Sequence, residues 1–311
     1  MGLPLASPIE RKRTPSTGRT RGQRQEEHAF WVFMAPWIIG FIFFTGGPII
    51  ASALLSLTNY SVTRPPMFVG LQNYATLFTD STFQQSVTVT LYYTALAVPL
   101  TLVAALLCAL LLTQKLRGLA IFRTIFYLPT VISGVAVALL WEWLLNPEFG
   151  LMNYILRSLG LHGPLWFTGQ SSVIPAFVLM AVWALGGQMI VFLAALTSVP
   201  RVYYEACQID GASTSTQFFR VTLPLISPAI LFNFVTGIIA SFQTFVPAQV
   251  ITQGGPNFAS EFYVLYLFDN AFEYFKLGYA SAQAWILFIV ILGLTLAILL
   301  GSRRLIYYEA D

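Results

Sequence analysis

Long stretches without charge alternate with short polar segments along the chain. A charged residue at the bilayer centre costs about 2.5–3.5 kcal/mol, so membrane spans are expected where charges are absent. A helix needs about 20 residues to cross the hydrocarbon core. Six windows meet this requirement closely enough to be assigned as spans: 29–57, 83–114, 124–141, the apolar part of 173–199, 223–251 and 277–302. The pattern predicts an all-α polytopic membrane protein with six transmembrane helices.

Composition supports lipid as the solvent. Of 311 residues, 57% are hydrophobic and only 9% are charged, whereas soluble domains carry about 25% charged residues. The windows divide the chain into a basic, disordered tail over 1–28, a transmembrane domain over 29–302 and a short C-terminal tail over 303–311. The first window is interpreted as a retained anchor, because the residues before it lack the apolar core of a cleavable signal.

The positive charges predict the orientation. Of the 16 lysines and arginines, all but Arg64, Arg157 and Lys276 lie in the N-terminal tail, the segments 115–123 and 201–220 or the C-terminus. Loops rich in positive charge stay in the cytoplasm. We therefore expect both termini to be cytoplasmic, with 58–82, 142–172 and 252–276 outside. The basic tail is either a topology signal alone or an attachment to acidic lipids or a partner.

The segment 199–224 is too long and too patterned to be a simple connector. Val202, Tyr203, Ala206 and Ile209 recur at helical spacing, which predicts a short amphipathic helix from about Pro200 to Gln208. Asp210-Gly211 then indicates a turn, and a second helical stretch from about Ser213 leads to Leu223-Pro224 and the fifth span. The short helix either docks in a groove of a partner or lies on the lipid surface. Its few basic residues argue against the lipid surface.

Motifs for catalysis are absent. The three lysines, Lys12, Lys115 and Lys276, do not follow glycine or precede Ser or Thr, so the chain has no P-loop. His28 and His162 lack clustered partners, and no metal, cofactor or nucleic acid is expected to bind. Glu142, between two tryptophans at the end of the third span, is either an interfacial residue or a contact for gating or substrate. The lack of an evident carboxylate near the midplane weakens the case for an ion-coupled transporter.

Small and polar residues recur every three or four positions in the fifth span, on one helical face: Asn233, Thr236, Gly237, Ala240, Gln243, Thr244 and Pro247. One interpretation is a translocation path that hydrogen-bonds sugar hydroxyls, with Asn233 and Gln243 as its best candidates. The alternative is close helix packing through small residues. Trp183 and Gln188 belong to a similar but weaker cluster in the fourth span.

One motif in the 199–224 loop resembles a known family. Glu205-Ala206-Cys207, then Gly211, Val221 and Leu223-Pro224, is similar to the loop motif of permease subunits in binding-protein-dependent ABC importers. Cys207 and Val221 replace the usual Ala and Ile. The segments 123–129, 251–256 and 275–285 look like the carbohydrate branch of that family, which includes maltose and glycerol-phosphate permeases.

The resemblance implies a type I ABC importer permease fold and import of a sugar or sugar derivative by alternating access, in a bacterial or archaeal cytoplasmic membrane. It implies docking on an ATPase through Tyr203, Glu205, Ala206, Asp210, Gly211, Leu223 and Pro224. The implied partners are two cytoplasmic ATPase subunits, a second permease subunit and an extracytoplasmic solute-binding protein. The rival interpretations are a secondary transporter that works as a dimer, and a membrane enzyme or scaffold.

Overall fold

The structure is a computed structural model that describes residues 21–114 and 118–302. Within these residues the chain forms helices and connecting loops, with no β-strand. It divides into two compact units, residues 1–52 and 53–311. The first unit contributes one helix, a π-helical turn over Ile42–Gly46 and the start of a second helix.

Fifteen α-helices occur in the described residues. In chain order they are α1 (Arg21–Phe41), α2 (Gly47–Ser56), α3 (Gln72–Thr79), α4 (Ser81–Leu112), α5 (Leu119–Tyr127), α6 (Gly134–Leu144), α7 (Leu151–Ser158), α8 (Val173–Trp183), α9 (Gly186–Ser198), α10 (Arg201–Ile209), α11 (Thr214–Gln217), α12 (Leu223–Leu225), α13 (Ser227–Phe242), α14 (Tyr263–Phe268) and α15 (Leu277–Ser302). Helix α1 includes residues 21–28, which were predicted to belong to the tail. The Arg/Gln/Glu-rich run there favours helix. Residues 1–20 and 303–311, predicted as tails, lie outside the described part.

Up to six membrane spans follow from helix length and composition. Three are single candidate helices, Glu26–Ser56, Ser81–Leu112 and Leu277–Ser302. The other three are pairs of helices bent at a short break: α5 with α6 by 98°, α8 with α9 by 44°, and the Thr214–Leu225 segment with α13 by 64°. The windows for the third to fifth spans were continuous in the sequence. Pro129, just before the sharpest bend, and Pro228, at the start of α13, each lack the N–H that a continuing helix would need.

Helix α4 forms the centre of the second unit. It packs against α8, α9, α13 and α14. Near its Ser81 end, Val89 and Tyr93 join Phe177 and Phe262 in one buried cluster, and near its Leu112 end Ala105 and Ala109 pack against Met189. Small residues on α4 let the neighbouring backbones approach closely, as is common between helices in membranes. At 1.5 Å per residue this helix is about 48 Å long, so its two ends lie on opposite sides of the bundle.

Candidate functional site

Helix α10 exposes apolar side chains although it is not a candidate membrane span. Val202 is 63% exposed and Ile209 is 87% exposed, and Ala206 between them is exposed as well. These three positions fall on one helical face. An exposed apolar face on a nine-residue helix has a large free energy to gain from a partner surface. The helix that was predicted from about Pro200 to Gln208 is present as Arg201–Ile209, and its apolar face is exposed.

The end of α10 is fixed by a Schellman motif at Gly211. The backbone N–H of Ala212 donates to the Cys207 carbonyl at 2.9 Å, and that of Gly211 donates to the Gln208 carbonyl at 3.1 Å. Gly211 has a φ of +72°, which a residue with a side chain adopts only with strain. The Ser213 side chain then caps the next helix, α11. This geometry explains the turn predicted at Asp210-Gly211 and makes α10 a defined element rather than a loose loop.

A hydrogen bond joins α10 to the helices that lead into α13. The hydroxyl groups of Tyr204 and Thr222 lie 2.9 Å apart, and Thr222 is buried. Thr222 ends a π-helical turn over Phe218–Thr222, which is followed by Leu223-Pro224. Because Pro224 has no N–H, the regular α-helical ladder cannot continue through it. The exposed helix is therefore linked to the fifth span by a hydrogen bond, although the helix that leads into that span is interrupted at Pro224.

A cavity of about 250 Å³ lies between the spans and is called the central cavity below. Its lining comes from α4, the turn after α5, α8–α9, and α13 with the residues that follow it. The lining residues are uncharged: Tyr93, Ala97, Val98, Thr101, Thr130, Ala181, Ala184, Gly187, Gln188, Gly237, Ala240, Ser241 and Thr244. Several hydroxyl groups and one carboxamide face an otherwise apolar space. Such a lining suits a neutral, hydroxyl-bearing solute better than an ion.

The four residues predicted for the substrate path take different positions. Gln188 lines the central cavity, and its Oε1 is buried without a hydrogen-bond donor among the described residues. Asn233 is buried behind it and donates to the Gln188 main-chain carbonyl at 3.1 Å. Gln243 follows α13 and lines an adjoining cavity of about 360 Å³. Trp183 lies outside the lining of both cavities and packs edge-on against Trp141. The polar stripe of span five is thus part cavity wall and part packing surface.

Glu142 lies at the end of α6, where it is exposed and lines a separate cavity of about 300 Å³. Asn146, Thr168 and Thr252 share that lining. The side chain therefore faces a mixed polar and apolar recess rather than the central cavity. Both earlier interpretations of Glu142 stay open.

Sequence reasoning missed two features of the site. Tyr204 was passed over in favour of its neighbour Tyr203, yet it is Tyr204 that bonds to Thr222. Its position off the Val202–Ala206–Ile209 face was a readable signal. The second is a group of acidic side chains, Glu261, Asp269 and Glu273, around a cavity at the Ser81 end of α4. Their clustering within thirteen residues, in a predicted outer loop with few basic residues, was the available signal.

Comparison with known proteins agrees with this architecture. Residues 82–306 match the family described as the inner membrane component of binding-protein-dependent transport systems. That range includes α4, the α10 segment, the central cavity and the acidic group. The chain belongs to this family, and the predicted class of protein, an all-helical membrane permease with up to six spans, is confirmed.

Individual relatives extend the match over most of the chain. A probable ABC transporter permease protein of Bacillus subtilis, YesP, is 40% identical over 94% of this chain and 96% of its own length. The sn-glycerol-3-phosphate transport system permease protein UgpA of Yersinia enterocolitica is 35% identical over 78% of this chain and 82% of its own. Among solved structures, a bacterial ABC transporter involved in import of the acidic polysaccharide alginate has a chain that superposes with a TM-score of 0.80. That chain is 25% identical, with coverage of 91% of this chain and 98% of its own.

Proposed function

We propose that this chain is one permease subunit of an ATP-driven importer that carries a sugar or sugar derivative across a bacterial or archaeal cytoplasmic membrane. Two separate ATPase subunits bind below, a second permease subunit completes the channel, and a solute-binding protein delivers the substrate from outside. Membership of the binding-protein-dependent family supports this assembly. The uncharged, hydroxyl-rich central cavity supports a neutral polyol or sugar moiety as the part of the substrate that crosses.

The observation that carries the proposal is the exposed apolar face of α10. In this scheme the ATPase binds Val202, Ala206 and Ile209 in a groove, with Glu205 and Asp210 at the edge of the contact. Closure of the ATPase pair moves α10, and the bond from Tyr204 to Thr222 passes that movement to the fifth span. Because α13 forms one wall of the central cavity, its displacement changes access to the cavity from one side of the membrane to the other.

Within the central cavity, Gln188 is the proposed substrate contact. Its unpaired Oε1 accepts a hydrogen bond from a substrate hydroxyl, and Asn233 holds the Gln188 backbone in place from behind. Gln243, which lines the adjoining cavity, is proposed to act further along the path. Trp183 lines neither cavity, so its place on the path stays a sequence-based prediction. Asn233 is thus a positioning residue in this proposal, although it lies on the stripe that the sequence highlighted.

Charge reversal at Glu205 tests the docking. Glu205 is exposed, so Glu205→Lys should leave the fold intact while it disturbs the contact with the ATPase. We expect ATPase co-purification and sugar uptake to fall at least tenfold. The matched control is Glu148→Lys, an exposed glutamate in the 142–172 loop, which should change neither. Normal co-purification and uptake in the Glu205 variant would refute the docking. Uptake that survives ATP depletion but collapses with the ion gradient would instead support a secondary transporter.

A further inference from the structure

The acidic pocket is a cavity of about 370 Å³ at the Ser81 end of α4, opposite the end near α10. Glu261, Asp269 and Glu273 line it, together with Thr82, Tyr266 and Tyr274. Thr82 belongs to the first turn of α4, whereas the acidic residues come from the segment between α13 and α15. The pocket is therefore assembled from two distant parts of the chain.

Glu261 is buried in this pocket without a hydrogen-bond partner. The residue is only 3% exposed, and no group in residues 21–114 or 118–302 donates to its carboxyl. Burial, and the nearby charges of Asp269 and Glu273, raise the pKa of Glu261 to about 7. Burial and the charge of Glu273 also raise the pKa of Asp269, to about 6. A carboxyl group that is removed from water in this way lacks a counter-charge or a donor.

The backbone next to Glu261 leaves room for its carboxyl group. Gly254, at a φ of +82°, lies directly against the Glu261 carboxyl, and a Cβ at that position would collide with Oε2. Asp80, another carboxyl group at the same end, shows the ordinary solution. It accepts hydrogen bonds from the backbone N–H groups of Thr82 and Phe83 and from the hydroxyls of Tyr266 and Tyr279. Glu261 has none of these, so its lack of partners is specific to the pocket.

No basic group in the described chain neutralises the pocket. Lys276 is near in sequence, but its ammonium group lies over the ring of Tyr274, 5.7 Å from the centroid, and makes no described ion pair. A metal ion does not fit either, because no group of three or more His, Cys, Asp or Glu side chains in the described residues is arranged to hold one. The volume is also far larger than a bare ion requires, and it leaves room for the end of a long cationic side chain.

We propose that the acidic pocket receives a lysine or arginine side chain of the solute-binding protein when that protein docks on the permease. The inference rests on the proposed function, because it takes the end opposite α10 as the outer, docking side. The guanidinium or ammonium group lies among Glu261, Asp269 and Glu273, and the aromatic rings of Tyr266 and Tyr274 line the path of its alkyl stem. Such an ion pair sets the register of the docked protein.

The first experiment tests the pocket without any partner. Dicyclohexylcarbodiimide labels protonated, water-excluded carboxyl groups, and mass spectrometry of the full-length purified chain locates the adduct. At about pH 7, where the pKa of Glu261 leaves much of it protonated, we expect labelling of Glu261. Methylguanidinium at millimolar concentration should slow this labelling at least threefold. Methylurea, its neutral match in shape, should not. Equal labelling with and without methylguanidinium would overturn the cation site.

The second experiment tests the source of the cation. Binding of the solute-binding protein to the assembled importer is measured with Glu261→Gln and with Asp269→Asn. Each variant should raise the Kd about tenfold, and added salt should reduce this difference only slightly, because buried ion pairs are screened much less than exposed ones. Glu148→Gln, the same change at an exposed site outside the pocket, should leave the Kd as it is.

The two experiments separate the possible failures. Protection by methylguanidinium together with an unchanged Kd in Glu261→Gln would contradict the solute-binding protein as the source of the side chain. An importer that binds no solute-binding protein, yet shows protection of Glu261, would count against the proposed assembly and leave the cation site standing. Substitution of the contacting lysine or arginine in the solute-binding protein should also raise the Kd about tenfold. If combining it with Glu261→Gln raises the Kd no further, the two side chains are in contact.

Discussion

The two ends of the bundle are unsatisfied in opposite ways. At the Leu112 end of α4, helix α10 exposes apolar side chains, with Ile209 87% exposed. At the Ser81 end, Glu261 is 97% removed from solvent, at 3% exposure, and has no partner. The apolar face of α10 would be covered by an apolar groove on a partner, and the Glu261 carboxyl would be neutralised by a positive charge. The two ends thus offer chemically different surfaces, and we propose that they bind different proteins.

The Ser81 end also contains its own reference group. Asp80 and Glu261 are carboxyl groups in the same region. Burial and nearby charge raise the pKa of Glu261 to about 7, whereas the pKa of Asp80 is lowered. Burial raises the pKa of Asp80, but the hydrogen bonds from Tyr266, Tyr279, Phe83 and Thr82 outweigh it and lower the pKa below its usual range. Asp80 is thus held by hydrogen bonds within the chain, whereas Glu261 is the group that we propose pairs with a partner.

Loss of Asp80 gives the largest expected effect on stability. Asp80→Ala removes the cap of α4 and the acceptor for two tyrosine hydroxyls, which should lower the free energy of unfolding by about 3 kcal/mol. Thermal unfolding of the purified protein measures it. Asp80→Asn keeps a capping oxygen and should lose less than half as much. An unchanged melting temperature in the alanine variant would contradict the structural role of Asp80.

Glu261→Gln should have a smaller effect, and one that depends on pH. Because the folded pKa of about 7 is above the unfolded value, the folded protein binds the proton more tightly. The wild type therefore loses stability as pH rises from about 4 to about 7. The variant should lose less, because only Asp269, whose pKa is also raised, still titrates there. We expect the variant to be more stable than the wild type by about 2 kcal/mol at pH 8 and equal at pH 4. The pH dependence due to Asp80 has the opposite sign. Its pKa is lowered from the ordinary value of 3.8, so the stability that it contributes is lost as the pH falls below that value. If the Glu261 variant were less stable than the wild type at pH 8, the claim that the charged Glu261 carboxylate destabilises the fold would be contradicted.

Tyr204→Phe gives the smallest energetic change, because it removes one hydroxyl contact worth about 1 kcal/mol. It leaves the docking face of α10 intact, so ATPase co-purification should match the wild type. Uptake should fall several-fold, since movement of α10 is no longer passed to Thr222. Tyr154→Phe is the matched control, the same change at an exposed tyrosine in the 142–172 loop. Equal uptake in both variants would show that the hydroxyl bond does not couple α10 to the span.

Much of the fold was predictable because its signals are local. Charge-free windows indicated up to six spans, and helical spacing with Asp210-Gly211 indicated α10 and its end. The bend of 98° between α5 and α6 was not predictable, because the window over 124–141 is apolar on both sides of the break. The direction of such a bend depends on packing against other helices, not on the local sequence.

The same reasoning separates the two functional regions. The α10 motif lies within one short segment, so its resemblance to the loop motif of importer permeases could be read from the sequence, with Glu205, Gly211 and Leu223 at the matching positions. The acidic pocket joins Thr82 to residues about 180 positions later, and the lack of a donor for Glu261 appears only once the surroundings are built. For Asn233 and Gln188 the stripe indicated the right region, but which side chain faces the cavity depended on how α9 and α13 pack.

Binding of α10 by an ATPase subunit is tested most directly by cross-linking from Ile209. A photoreactive phenylalanine analogue placed at position 209 in the full importer reports which molecule lies within a few ångströms of that exposed site. The account predicts a single major cross-link to the ATPase subunit, and a weak or absent one from the same analogue at Glu148 in the 142–172 loop. Cross-links from position 209 to lipid alone, or to the solute-binding protein, would contradict it.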